Sequence, residues 1–159
     1  GDIGCYSRPE TGNHILIGSE DPECDERIFV DPDNWDENFT DQWQTQVLRQ
    51  AQRYPDLPIS NNVKGVVSLY DVTDDWIPIY DKSDLPGFYM AIGTSGNQFK
   101  NAPVAGVLMS ELIEYCENGN NHDKEPLKIN LKYINKDINL KFYSRNRQIN
   151  EESSMSVLG

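Results

Sequence analysis

Phe88-Tyr89-Met90-Ala91-Ile92-Gly93-Thr94-Ser95-Gly96-Asn97-Gln98-Phe99-Lys100, running on into Asn101-Ala102-Pro103, is the stretch from which the rest of the chain can be read. The unbroken apolar run Phe88–Ile92 predicts a buried strand. Gly93 and Gly96 supply a tight turn, and Pro103 sits where the first turn of a helix tolerates a missing N–H. The spacing predicts a helix from about Ala102 to Glu117, with Gly119 just past its end and Val104, Val107, Leu108, Leu112 and Tyr115 as its buried stripe. Free N–H groups and the positive end of the helix dipole converge at such a junction, as a site for an anion or a developing negative charge requires. Taken alone, the same pattern is also an ordinary strand–turn–helix crossover.

Upstream, Lys64–Val72 alternates as a strand, with Val66, Ser68, Tyr70 and Val72 on one face and Val67 and Leu69 on the other. Thr73-Asp74-Asp75 reads as a turn, Trp76–Tyr80 as a short strand, and Pro78 as a mark of an edge. Tyr70 beside that acidic turn can line a pocket, or be a core tyrosine next to a solvated loop. Further upstream, Cys5–Arg8 and His14–Ile17 flank a Pro9–Asn13 turn as a hairpin within 3–18, and residues 19–35 read as a polar loop. Phe39, Trp43, Val47, Leu48 and Ala51 mark a helix over about 36–54 that Pro55 ends. Downstream, Leu127–Tyr133 and Ile138–Phe142 alternate around an Asn135-Lys136-Asp137 turn. The elements add up to an α+β fold, with a mixed, largely antiparallel sheet and two main helices.

The chain has 159 residues, 14 Lys and Arg against 26 Asp and Glu, and a net charge of −12. That balance argues against nucleic acid as a partner, and no apolar run approaches a membrane span. The charge is uneven: residues 1–59 carry −9, 60–120 carry −5, and 121–159 carry +2. Cys5, Cys24 and Cys116 are odd in number and without CxxC spacing, which points to a reducing, cytoplasmic compartment rather than disulfides. With only His14 and His122, no metal site is expected. Gly1-Asp2-Ile3 lacks the basic and apolar regions of a signal peptide.

Ser68-Leu69-Tyr70-Asp71-Val72-Thr73-Asp74-Asp75-Trp76-Ile77-Pro78-Ile79, followed by Gly87–Ile92 and Gly93–Lys100, resembles the C-terminal part of the D-amino-acid oxidase family of FAD-dependent oxidoreductases, which includes sarcosine and glycine oxidases. There a Tyr-x-x-Thr-Pro-Asp-like turn and a Pro-Ile precede a Gly-Leu-Tyr-like strand and a Gly-Phe-Ser-Gly-His-Gly-Phe-Lys-like loop opening a helix. The match is specific over about Gly65 to Tyr115, weaker over Cys5 to Gly18, and faint at Ile138 to Arg147.

The resemblance implies a flavin whose pyrimidine end lies against the loop, with Gly93, Ser95, Gly96, Asn97, Gln98, Phe99 and Lys100 as cofactor-binding residues. It implies Lys100 pairing with a substrate carboxylate, Tyr70 in the substrate pocket, Tyr6 as a carboxylate-binding tyrosine and Arg8 as a second cation. Asn97 and Gln98 replace a His-Gly pair and Asp74 replaces a proline. Ser68 falls where some members carry the cysteine that bonds flavin, so FAD is expected to be non-covalent. The Gly-x-Gly-x-x-Gly dinucleotide fingerprint is absent from these residues, so the chain reads as the substrate-side portion of a longer enzyme. On this reading residues 1–86 form the substrate-domain sheet with its helix, 87–119 the strand–loop–helix of the FAD domain, and 120–159 the final strands and tail. The implied substrate is a small amine or amino acid oxidised by hydride transfer to flavin. The implied partner is the missing N-terminal FAD-binding half, and apolar surface left bare by its absence would favour self-association. The alternative is a non-catalytic acidic interaction domain on the same scaffold.

Overall fold

The computed structural model describes residues 5–19, 27–59, 61 and 64–156. Cys24 and the first residues of the predicted hairpin lie outside them. The chain divides into two compact units, residues 1–69 and 70–159.

In the first unit, β1 (Cys5–Glu10) and β2 (His14–Ser19) form the predicted antiparallel hairpin, with Cys5 opposite Ser19 and Glu10 opposite His14. Gly12 and Asn13 make the turn at positive φ, where Gly and Asn are the residues that fit. Helix α1 (Asp41–Ala51) is shorter at both ends than the apolar spacing suggests. Thr40 caps it by accepting from Trp43 N at 3.2 Å, while Asp36 instead holds a local turn by accepting from Asn38 N at 2.9 Å. Phe39 therefore precedes the helix and stacks on Trp43, ring centroids 4.2 Å apart.

The seam between α1 and the hairpin is polar. Cys5 Sγ donates to Gln46 Oε1 at 3.2 Å. Gln50 Nε2 donates to Ser7 Oγ at 2.9 Å, and Ser7 shares a 2.8 Å bond with the Tyr54 hydroxyl. The period of two along β1 thus turns Cys5 and Ser7 toward α1 and leaves Tyr6 and Arg8 on the opposite face.

Lys64–Val72 is not a strand. Gly65 runs beneath the Phe39 and Trp43 rings, Val66 is 89% exposed, and no neighbouring backbone among the described residues takes up its ladder. A β pattern becomes a strand only where a partner accepts its hydrogen bonds.

The second unit begins with a loop and then pairs β3 (Ile79–Lys82) with β4 (Tyr89–Ile92), antiparallel, Ile79 opposite Ile92. A 3₁₀ turn (Gln98–Asn101) leads into α2 (Ala102–Glu117), whose bounds match the sequence expectation. β5 (Lys128–Leu131) and β6 (Lys136–Asn139) form a third hairpin, and Leu140–Tyr143 turns off as 3₁₀ rather than extending the strand. The architecture is α+β. The described strands form three separate two-stranded antiparallel sheets and not the expected continuous mixed one.

The core of this unit is Tyr80, Leu108, Leu112, Ile129 and Leu140, with Ala105, Met109, Cys116 and Ile138 packed around it. Helix α2 is therefore rotated from its predicted stripe. Leu108 and Leu112 face inward with Ala105, Met109 and Cys116, while Val104 and Val107 are 44% and 50% exposed. The 3.6-residue period locates Leu108 and Leu112, but which flank joins them is chosen by Tyr80 and Leu140. The apolar run of β4 is likewise not buried: Phe88 and Ile92 are about half exposed.

Two buried carboxylates tie the C-terminal stretch to β3. Asp75 accepts from Arg147 Nη2 at 2.6 Å and Nε at 3.0 Å, from Ile77 N at 3.1 Å and from Asn150 N at 3.2 Å. Arg147 Nη2 also donates to the Ile77 carbonyl at 2.7 Å, and Ser153 Oγ to the Asp75 carbonyl at 2.6 Å. With both polar groups of Ile77 so engaged and Trp76 at φ 60°, pairing starts only at Ile79 and the predicted strand at Trp76 does not form. Asp81, fully buried, accepts from Ser144 Oγ at 2.9 Å and from Arg145 N at 2.8 Å and Nη1 at 3.2 Å.

The Arg147 hydrogen bonds, opposed by burial, hold the Asp75 carboxyl well below the usual carboxylate range. Its contribution to stability is therefore complete above about pH 4 and is lost only as pH falls through that depressed value. Arg147→Ala is expected to cost roughly 3–5 kcal/mol, because it leaves Asp75 buried and uncompensated. Urea titrations should show Asp75→Asn combined with Arg147→Met costing less than Arg147→Ala alone, since no lone charge then remains inside.

Candidate functional site

The turn after β4 is set from residue 71. Asp71 Oδ2 accepts from Gly93 N at 2.8 Å and from Thr94 N at 3.1 Å, Oδ1 accepts from the Thr94 hydroxyl, and the Asp71 carbonyl accepts from Ser95 N at 3.0 Å. Burial raises the Asp71 pKa, but the bonds from Thr94 and Gly93 outweigh it and the carboxyl titrates below its ordinary value. Gly93, Ser95 and Gly96 all lie at positive φ, at 68°, 50° and 75°. For Ser95 that conformation costs about 1–2 kcal/mol, and the side chain is fully buried with its hydroxyl on the Gly93 carbonyl at 3.2 Å. A side chain at Gly93 would collide with Thr73, and a Cβ at Gly96 would stand 2.6 Å from Tyr70 Cε1. Tyr70 and Asp71 therefore close on the turn together.

Past Gly96 the polarity changes. Asn97 and Asn101 stand at the starts of the 3₁₀ turn and of α2, and neither side chain caps the element it precedes. No acid occupies either first turn. Phe99 is 97% exposed and Lys100 is exposed, with no ion partner among the described residues. Gln98 is instead fastened: its Oε1 accepts from Tyr80 OH at 3.1 Å and from Asn101 Nδ2 at 3.0 Å, and its amide donates to Asn97 Oδ1. Asn97, Gln98 and Asn101 line an open cavity of about 280 Å³ together with Trp76, Tyr143 and Ser153.

The predicted loop residues Gly93, Ser95, Gly96, Asn97, Gln98, Phe99 and Lys100 thus share one segment of the second unit, and the Tyr70 ring lies against Gly96 within it. Tyr6 and Arg8 share one hairpin face in the first unit. The Tyr6 ring lies over its cross-strand neighbour Gly18, where a Cβ would collide with it. Arg8 pairs with Glu10 at 3.2 Å, both exposed. Glu10 titrates below its usual value because Thr11 N donates to it, with the Arg8 charge helping.

Asp71 escaped the sequence reading, although it continues the Val67–Leu69 face, where a carboxylate in an apolar row signals a polar partner. A second missed cluster surrounds Asp81. His122 is buried, accepts from Leu127 N through Nδ1 at 3.2 Å, and points Nε2 toward Asp81 Oδ1 at 3.8 Å without a hydrogen bond. Burial outweighs the nearby acids and lowers the His122 pKa. Asp123 is lowered to about 2 by its bonds from Arg145 (2.8 Å) and Lys82 (2.6 Å). A lone histidine 41 residues from its carboxylate carries no sequence signal for such an approach. No group of His, Cys, Asp and Glu suited to a metal ion occurs among the described residues, and no described helix is long and apolar enough to cross a membrane.

Residues 1–112 match the family described as FAD dependent oxidoreductase. The matched part spans both units and ends inside α2, and the chain belongs to that family. No curated protein and no solved structure matches it. Tested against the flavin this family uses, the loop divides. The Gly93 and Thr94 N–H groups are already given to a carboxylate. In the Gly96–Lys100 segment Asn97 N closes on the Thr94 carbonyl at 3.1 Å, while the absence of a side-chain cap or an acid there and the presence of Lys100 suit the electron-rich edge of a flavin.

Gly96→Ala is expected to destabilise the second unit by about 1–3 kcal/mol, from the left-handed φ and displacement of the Tyr70 ring. Shifted Tyr70 ring resonances and a lower urea midpoint would register it.

Proposed function

We propose that the chain is the substrate-side part of an FAD-dependent oxidoreductase acting on a small amine or amino acid. Bound non-covalently, FAD supplies the two-electron acceptor for hydride leaving the amine-bearing carbon. Ser68 has no thiol to bond it. With Asn97 N already given to the Thr94 carbonyl, the remaining N–H groups of the Gly96–Lys100 segment and the N-terminus of α2 would hold the cofactor's pyrimidine edge and would stabilise negative charge there. The adenine and pyrophosphate sites lie on polypeptide outside these residues, whose sequence lacks the dinucleotide fingerprint.

Lys100 holds the substrate carboxylate, and Tyr70 shapes the pocket beside it. In the first unit, Tyr6 and Arg8, on the hairpin face turned away from α1, are assigned carboxylate binding by the resemblance. A neutral amine needs no strong base, in keeping with a site whose residues include no histidine. The observation that carries this reading is Lys100. Of the two lysines between Tyr70 and Glu117, Lys82 is paired with Asp123, whereas Lys100 has no ion partner among the described residues.

The test compares two substrates in the FAD-loaded full-length protein. A charge-assisted bond to a carboxylate is worth about 1.5–3 kcal/mol. Lys100→Met should therefore raise KM for an amine bearing a carboxylate roughly tenfold to hundredfold, with FAD retained, and leave an amine without one nearly unaffected. Equal losses for both substrates would remove Lys100 from the substrate site.

A further inference from the structure

A turn with three left-handed residues in four does not hold itself. Gly93 and Gly96 adopt such conformations freely, but Ser95 at φ 50° does so only under constraint. That constraint comes from one residue, Asp71. Through its carboxylate and its carbonyl, Asp71 receives the backbone N–H of three consecutive residues, Gly93, Thr94 and Ser95, and the Thr94 hydroxyl as well. Successive N–H groups converging on one oxygen form an anion-binding nest. Here the resident anion is a side chain of the protein, 22 residues upstream of the first amide it takes.

Two consequences follow for the donors beyond. A second anion placed at Gly93 or Thr94 would meet the Asp71 charge at close range, so those amides are closed to ligands. The direction in which the chain leaves Gly96, and hence the placement of Gln98, Lys100 and the start of α2, is set by the turn. Tyr70 packs against Gly96 from the adjacent position, so two neighbouring residues grip the turn from both of its ends.

We infer that Asp71 is a positioning residue. Its carboxylate orders the Gly93–Ser95 turn so that the Gly96–Lys100 donors are presented to the flavin in advance, and it touches neither cofactor nor substrate. The inference rests on the reading of Gly96–Lys100 as the flavin-facing segment. Preorganised donors bind more tightly because no ordering is left to be done on binding.

Isotopically labelled full-length protein tests this through backbone amide resonances and FAD titration, with no need for turnover. Wild-type Gln98–Lys100 amides should shift on adding FAD. Asp71→Asn should collapse the exchange protection of Gly93, Thr94 and Ser95, leave the α2 amides protected, and weaken FAD binding on the order of tenfold. Thr94→Val removes one hydroxyl bond only and should weaken binding a few-fold in the same pattern; it decides the matter if Asp71→Asn does not fold. Unchanged affinity in a variant whose turn amides have lost protection overturns the inference, as does weakened affinity with the turn amides still protected. Wild-type amides that ignore FAD overturn the functional reading itself, a result distinct from both.

Discussion

Asp75 buries a carboxylate that, among the described residues, Arg147 neutralises, and the second unit is assembled around that pair. Three backbone and side-chain donors besides the guanidinium converge on it: Ile77 N, Asn150 N and the Thr73 hydroxyl. The Arg147 guanidinium in turn reaches the carbonyls of Ile77 and Ser144. One ion pair thereby joins the acidic turn before β3, the 3₁₀ turn after β6 and the C-terminal stretch. A buried pair so fully hydrogen-bonded is a device for uniqueness of structure more than for net stability, because desolvation offsets much of the attraction.

Asp81 repeats the arrangement one element later. It is completely buried and draws in Ser144 and Arg145, while Arg145 reaches outward to Asp84 at 2.5 Å and Asp123. Arg145 and Arg147 thus stand on the same short segment, each committed to a different buried carboxylate, Asp81 within β3 and Asp75 just before it. The local positive excess of residues 121–159 serves these acids in part, and the hydrophobic core of Tyr80, Leu108, Leu112 and Leu140 closes beside them. With β3 held in this way, β4 pairs to it and delivers the chain into the turn that Asp71 takes over.

That turn separates two kinds of polar group that look alike along the chain. Between Gly93 and Ser95 every N–H is used internally, and the carboxylate doing so makes the turn a structural joint. From Gly96 onward Asn97 N still closes on the Thr94 carbonyl at 3.1 Å, but no side chain caps the 3₁₀ turn or α2, no acid stands in either first turn, and Lys100 is the basic residue there. The substitutions that depart from the family pattern fall at the boundary. Gln98 bonds to Asn97, to Tyr80 and to Asn101, so the side chain that stands there in place of a glycine ties the segment to its neighbours.

The hairpin Cys5–Ser19, the strand at Tyr89–Ile92 and the whole of α2 were legible from the sequence. Each is specified locally, by turn residues, an unbroken apolar run, or an apolar period with Pro103 at one end and Gly119 at the other. The Gly93–Lys100 loop was legible as a strand–turn–helix junction for the same reason, and the family from the residues that resemble it. What is not local was not legible. Lys64–Val72 has a strand's alternation but no partner backbone, and Trp76–Ile77 is drawn out of strand geometry by an arginine 70 residues away. The face α2 buries, the pairing of His122 with Asp81, and the filling of the Gly93 and Thr94 amides by Asp71 all depend on atoms distant in sequence. Local order follows from dihedral preference and periodicity, which a short stretch carries by itself. The partner of a buried charge or an open N–H is decided only when the folded chain brings one within hydrogen-bonding distance.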